Sequence, residues 1–252
     1  MSRKKIFSST ALKNNKNLNR QDKNIIKVVE IVFLRRYTDL RSRDTDSFGS
    51  QQKELFMAIT LEKNKTLSLK KVSSAIAQIT LGLGWDPASA KKGGFFSGLL
   101  GGGGGAIDLD ASLILLDANR NVVDKVWFRK LKSNCGSVIH TGDNRTGHGD
   151  GDDEQIRVNL ERLPSNVEYI VATVNSFTGQ TFNDVENCYC RITDQNNQEL
   201  VKYSLKEQSG HKAVLIASMA RNGGDWEFKA LGEFSSGQTV DALIPQAQAL
   251  VG

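Results

Sequence analysis

The segment HTGDNRTGHGDGDDEQ, from His140 to Gln155, holds five carboxylates and four glycines in sixteen residues. Two like charges about 4 Å apart near a protein surface repel by on the order of 4 kcal/mol, so acids packed this closely call for a cation among them. Calcium takes about six to eight hard oxygens, which short Asp and Asn side chains and backbone carbonyls deliver best from a tightly coiled loop. Asp143, Asn144, Asp150, Asp152, Asp153 and Glu154 offer the side chains, and Gly147 and Gly149 join the ligand set through a backbone that glycine lets coil. The spacing is not that of an EF-hand. A loop begun at Asp150 has Gln155 where the sharp-turn glycine belongs, and it runs into the strand-like IRVNL. It is not a β-helix repeat either, since GDGDDEQ occurs once.

Two more acidic stretches are expected to converge on this loop: GWD, ending in Asp86, and DLD, Asp108 to Asp110. In a strand, residues i and i+2 share a face, so Asp108 and Asp110 present two carboxylates together. Eight acids in three segments exceed what one divalent ion needs, and two calcium ions are expected. The plain alternatives are a solvated acidic turn at the loop and a solvent-facing strand edge at Asp108 and Asp110. The functional rival is a hydrolase or phosphotransferase holding Mg²⁺ or Mn²⁺ on the same carboxylates. No base, nucleophile or lysine clamp lies near the acids in sequence, so the expectation is a binding protein with no catalytic residues.

The elements that must position these groups read as strands. From Ile59 onward apolar and polar residues alternate with period two in short runs separated by turn signals, the pattern of an antiparallel β-sandwich. The runs are AITLEK, AIAQITLGL, DASLILLD, NVVDKVWF, SVIHTG, QIRVNL, EYIVATVNSF, NCYCRITD, ELVKYSL, AVLIASMAR and DWEFKALG, with hairpin turns at DANRN and RNGGD. Only TVDALIPQAQALV reads as helical, and Pro245 is expected to limit it. The fold expected is all-β, an antiparallel sandwich with a short C-terminal helix and long ligand loops at one end.

Composition narrows the function further. Residues 1–56 carry 13 Lys/Arg and 6 Asp/Glu, a net of +7, so the whole-chain charge of +5 leaves a net of −2 for the rest. This stretch reads as a disordered basic extension. A more specific variant makes Met57 the natural start, with upstream sequence read through in frame. A nucleic-acid arm is disfavoured because the interleaved aromatics of a single-strand binder are missing, and no nucleic acid is expected for the folded domain. Cys135, Cys188 and Cys190 form no CxxC pair, which argues against a disulfide framework or zinc site and for reduced cytosol. No run approaches the roughly 18 apolar residues of a membrane span. Neither export nor insertion is expected.

Other signals are set aside. The run Gly101 to Gly105 leads into a strand pattern, where a phosphate cradle would feed a helix; Phe95, Phe96, Leu99 and Leu100 beside it either pack on the sandwich or meet a partner. Cys188 and Cys190 share a strand face and read as core. His140 reads as a hydrogen-bonding anchor for the loop.

GLGWDP, the glycine insertion in KKGGFFSGLLGGGGGAIDLDAS, VWFRKL, HTGDNRTGHGDGDDEQIRVNL, NSFTGQTFNDVENCYCRITD and DWEFKALGE, in that order, resemble the tellurite-resistance TerD domain family, most closely its TerZ-like branch, from about Met57 to Gly252. The resemblance implies a cytoplasmic calcium-binding β-sandwich of a bacterial tellurite-resistance or stress-response system. It implies a structural, sensing or scaffold component with protein partners in that assembly. A third alternative is a scaffold associated with the inner membrane surface, peripheral to it, through the Phe95 to Leu100 loop. His148 departs from the family pattern, which has Glu there, and that implies one weakened site. The leader before Met57 lies outside the resemblance.

Overall fold

A computed structural model describes residues 58–73, 76–87, 108–142, 151–176 and 178–252. The basic stretch 1–56, the glycine insertion with its four large apolar residues, and Asp143, Asn144, Gly147, Gly149 and Asp150 lie outside the described residues.

Among the described residues twelve strands form two six-stranded sheets. They are β1 (Ile59–Leu61), β2 (Thr66–Ser68), β3 (Gln78–Pro87), β4 (Leu109–Leu116), β5 (Val122–Val126), β6 (Val138–His140), β7 (Glu154–Asn159), β8 (Tyr169–Ser176), β9 (Val185–Asp194), β10 (Glu199–Ser204), β11 (Ala213–Asn222) and β12 (Asp225–Ser235). The first sheet runs β1-β10-β9-β3-β7-β6 and the second β2-β12-β11-β8-β4-β5. A 3₁₀ turn at Leu69–Lys71 and an eleven-residue helix α1, Val240–Leu250, complete the described elements.

Period-two alternation builds the core between the sheets. Leu81, Leu83, Ile156, Val158, Cys190 and Ile192 of the first sheet meet Leu113, Leu115, Val174 and Phe228 of the second. Strand β4 is buried along its whole length. One face, Leu109, Ala111, Leu113 and Leu115, enters the sandwich, and the other, Ile114 and Leu116, lies in a second cluster with Val240, Leu243 and Ala247 of α1. Burying a leucine-sized side chain contributes about 1.5–3 kcal/mol, and the helix supplies the cover that the outer face of the second sheet needs.

Three details depart from the pattern reading. Strand β2, three residues of the sequence TLS, is too short to show a period. β1 lies parallel to β10, a non-local pairing that alternation does not encode; every other paired ladder is antiparallel. Helix α1 continues through Pro245 to Leu250, because burial of Leu243 and Ala247 on either side outweighs the one backbone bond that proline removes. The RNGGD hairpin is as expected, with Gly223 and Gly224 at φ 54° and 80°, the positive values of a primed turn.

The register gathers the ends that matter. Leu83 pairs with Glu154, Pro87 with Val185, and His140 with Ile156, so β3 and β6 finish where β7 and β9 begin.

Candidate metal centre

Three consecutive acids lead into β7, whose first residue is Glu154, and their side chains leave in different directions. Asp152 turns to the outer face of the first sheet and settles over Gly82 of β3, where a β-carbon would overlap its carboxylate. Arg191 of β9 grips it with a two-pronged ion pair, Nε to Oδ1 at 2.7 Å and Nη2 to Oδ2 at 3.0 Å. Gln155 Nε2 donates to Oδ2 at 3.1 Å, and the Tyr189 hydroxyl lies 3.0 Å from Oδ1 and 2.6 Å from the Gly151 carbonyl it donates to. The Asp152 side chain is 2% exposed and Arg191 28%. Arg191 Nη1 also donates to Glu199 Oε2 at 3.0 Å. This pairing with Asp152 holds the guanidinium pKa above its usual value, against the pull of desolvation.

Glu154 turns inward. Its Oε2 accepts the Ala111 N–H at 2.7 Å, so a first-sheet side chain crosses the sandwich to the backbone of β4. His140 Nε2 lies 3.3 Å from the same oxygen, with both side chains fully buried. The other ring nitrogen, Nδ1, accepts the Gly142 N–H at 3.2 Å. His140 is therefore the hydrogen-bonding anchor expected at the loop's entry.

Asp153 stays at the rim, half-buried. Its Oδ2 accepts the Trp85 N–H at 2.7 Å, and its own N–H donates to the Leu83 carbonyl at 2.8 Å. Burial pushes its carboxyl pKa above the usual carboxylate value; the Trp85 N–H pulls the other way, and the like charges of Asp86, Glu154 and Asp152 add to the rise. Asp86 sits on β3 where the register slips between Gly84 and Asp86 against β9. Opposite the slip, Asn187 adopts a left-handed φ of 53° and donates from Nδ2 to Asp86 Oδ2 at 2.7 Å.

Asp108 immediately precedes β4. Asp110 pairs in register with Asn175 and is buried in a cleft with Ser112, Trp127, Gln238 and Val240. That cleft is on the outer face of the second sheet, beside α1, whereas Asp152 is on the outer face of the first. Asp110 and Asp152 thus lie on opposite outer faces of the sandwich; residues 143–150, the part of the acidic loop that Asp110 is expected to meet, lie outside the described residues. Among the described residues, no three His, Cys, Asp or Glu side chains group to hold a metal ion. The hard-oxygen character of the Asp86 and Asp153 carboxylates fits calcium; the arginine-bound Asp152 carboxylate does not.

The TerD domain model matches residues 57–246. The chain belongs to the TerD domain family. It is 55% identical over 185 residues to the tellurium resistance protein TerZ of Serratia marcescens, covering 73% of this chain and 94% of that one. It is 42% identical to the stress response protein SCP2 of Bacillus subtilis, covering 75% of this chain and 98% of the relative. The crystal structure of a homologue of telluride resistance protein (TerD) from Streptomyces coelicolor A3(2) covers 69% of this chain with a TM-score of 0.54 at 22% identity, a likeness of fold.

Within this TerD domain, sequence reasoning missed Arg191, Tyr189, Asn187 and the space over Gly82. A signal existed. Gly82 and Gly84 alternate with Leu81 and Leu83, and Tyr189 and Arg191 alternate with Cys188 and Cys190. One face of β3 is thereby stripped of side chains, and that is where the Asp152 carboxylate and the Tyr189 ring pack. Among the described residues no helix is long and apolar enough to cross a membrane.

Proposed function

We propose that this TerD-family chain is a calcium-binding β-sandwich protein of a tellurium-resistance and stress-response system. In this reading Asp86 and Asp153 hold calcium at the rim together with Asp143, Asn144, Gly147, Gly149 and Asp150 of the acidic loop. Asp108 enters the same end ahead of β4. The single observation that supports it most is Asp153. This carboxylate is pinned by Trp85 N–H in a half-buried position within the field of three other acids, and a divalent cation would relieve that repulsion.

Metal binding and folding are coupled when ligand loops cannot close without their ion. Calcium would therefore order the rim while the sheets persist without it. The protein would then act as a structural or sensing component whose rim changes with calcium, presenting a surface to protein partners of the assembly, at or near the inner membrane. Calorimetric titration with calcium and with magnesium, paired with melting curves, tests the reading. Saturable calcium binding that raises the melting temperature supports it; millimolar calcium that neither binds nor stabilises defeats it.

A further inference from the structure

The triplet Asp152-Asp153-Glu154 looks uniform in sequence, but its members meet three different environments. Resting on the calcium reading above, we infer that the triplet is divided by function: Asp153 is the cation-facing member, and Asp152 and Glu154 are positioning residues that hold it from opposite sides.

For Asp152 the case is its partners. Its two oxygens take both prongs of Arg191 and the Gln155 amide, three of the roughly four lone-pair sites of an ionised carboxylate. The Tyr189 hydroxyl, which donates to the Gly151 carbonyl, lies against Oδ1, so a cation binding there would have to displace the Arg191 guanidinium. Gly82 has no β-carbon because the carboxylate occupies that space, which fixes Asp152 in this direction whether or not an ion is present. For Glu154 the case is location. Its carboxylate is fully buried within the sandwich, 2.7 Å from Ala111 N and 3.3 Å from His140 Nε2. It joins the two sheets next to the rim.

Asp153 sits between these anchors. Asp152 ties the chain to β9 through Arg191, and Glu154 ties it to β4 through Ala111. The Asp153 carboxylate is thereby held at one place beside Trp85 N–H. Outer partners of metal ligands typically govern affinity by about 10–100-fold.

The two kinds of residue separate when calcium binding and calcium-free stability are both measured. In EDTA, Asp152→Asn and Glu154→Ala lower the melting temperature by about 4–10 °C, because the first strips Arg191 of its carboxylate and the second leaves the buried Ala111 N–H unmatched. Asp153→Asn lowers it less than either, because an amide oxygen can still accept the Trp85 N–H. In calcium titrations, Asp152→Asn and Glu154→Ala keep the parent's ion count with affinity weakened about tenfold. Asp153→Asn weakens affinity by more than about a hundredfold or loses an ion. Two rescues guard against a variant that fails to fold. Glu154→Gln keeps an oxygen for Ala111 N–H, and the double variant Asp152→Asn with Arg191→Gln removes the charge from both ends of the ion pair. Both bind calcium within about threefold of the parent, which a missing carboxylate ligand would not allow. The division is overturned if either rescue loses an ion, or if Asp152→Asn or Glu154→Ala loses one with its EDTA melting temperature unchanged. A parent that binds no calcium defeats the calcium reading itself; the EDTA melting order would then still support or refute Asp152 and Glu154 as anchors.

Discussion

The carboxylate of Asp152 lies where a β-carbon on Gly82 would have to stand. Gly82→Ala must therefore push Asp152 away from Arg191, and breaking such a largely buried pair costs on the order of 3 kcal/mol. Urea unfolding should show that loss for Gly82→Ala. The double variant Gly82→Ala with Asp152→Ala should be little worse than Asp152→Ala alone, because the two changes disturb one contact. Additive losses would mean that the clash at Gly82 involves something else.

Asp124 predicts an acid limb of stability remote from the acidic loop. Burial alone would raise its carboxyl pKa. The Lys130 ammonium and the N–H groups of Asn134 and Lys125 outweigh burial and hold it below the ordinary value of 3.8. A carboxyl depressed by folding stabilises the protein above its unfolded pKa and loses that contribution as pH falls through the folded one. The stability gap between the parent and Asp124→Asn should be complete above about pH 5 and should close below pH 3.8. A gap that widened on acidification would contradict this assignment.

Helix α1 should behave as an integral cover of the second sheet. Leu243→Ala opens the cluster it forms with Ile114, Leu116 and Leu215, at a cost of about 2–5 kcal/mol. Thr239 Oγ1 caps the helix by accepting Ala242 N–H at 3.3 Å, and Thr239→Ala should cost about 1 kcal/mol. Chemical denaturation of both variants checks the ranking, with Leu243→Ala the more damaging.

The three thiols should differ in reactivity. Cys188 and Cys190 are buried in the sandwich, and burial pushes the Cys188 pKa up to about 12. Cys135 is exposed. Burial of its sulfur works in the opposite direction, but hydrogen bonds with the Ser133 and Ser137 hydroxyls hold its pKa below the ordinary thiol value. A maleimide at neutral pH should label Cys135 in the folded protein and the other two after denaturation, as mass spectrometry would report.

Much of this molecule was legible before any coordinates. The alternation of Leu81 with Gly82 and of Cys190 with Arg191 encodes which side faces the core, and that follows from period two alone. The parallel pairing of β1 with β10 was not legible, because partner choice at a sheet edge depends on contacts distant in sequence. The acidic triplet shows the same limit at the site. Its charge signalled a cation, and its alternation implied that neighbouring carboxylates must part. That Asp152 would meet Arg191, 39 positions later, depends on β7 and β9 both flanking β3. The face that Asp110 takes was not legible for a related reason: its side chain lies on the α1 side of the second sheet, which strand alternation alone cannot choose.

The most direct test of calcium at this rim is the metal content of the purified protein after equilibration with calcium and removal of unbound ion, read alongside the Asp153→Asn variant. Bound calcium in the parent chain is predicted, with less in Asp153→Asn. A parent chain that retains no calcium, or a variant that retains as much as the parent, would contradict the account.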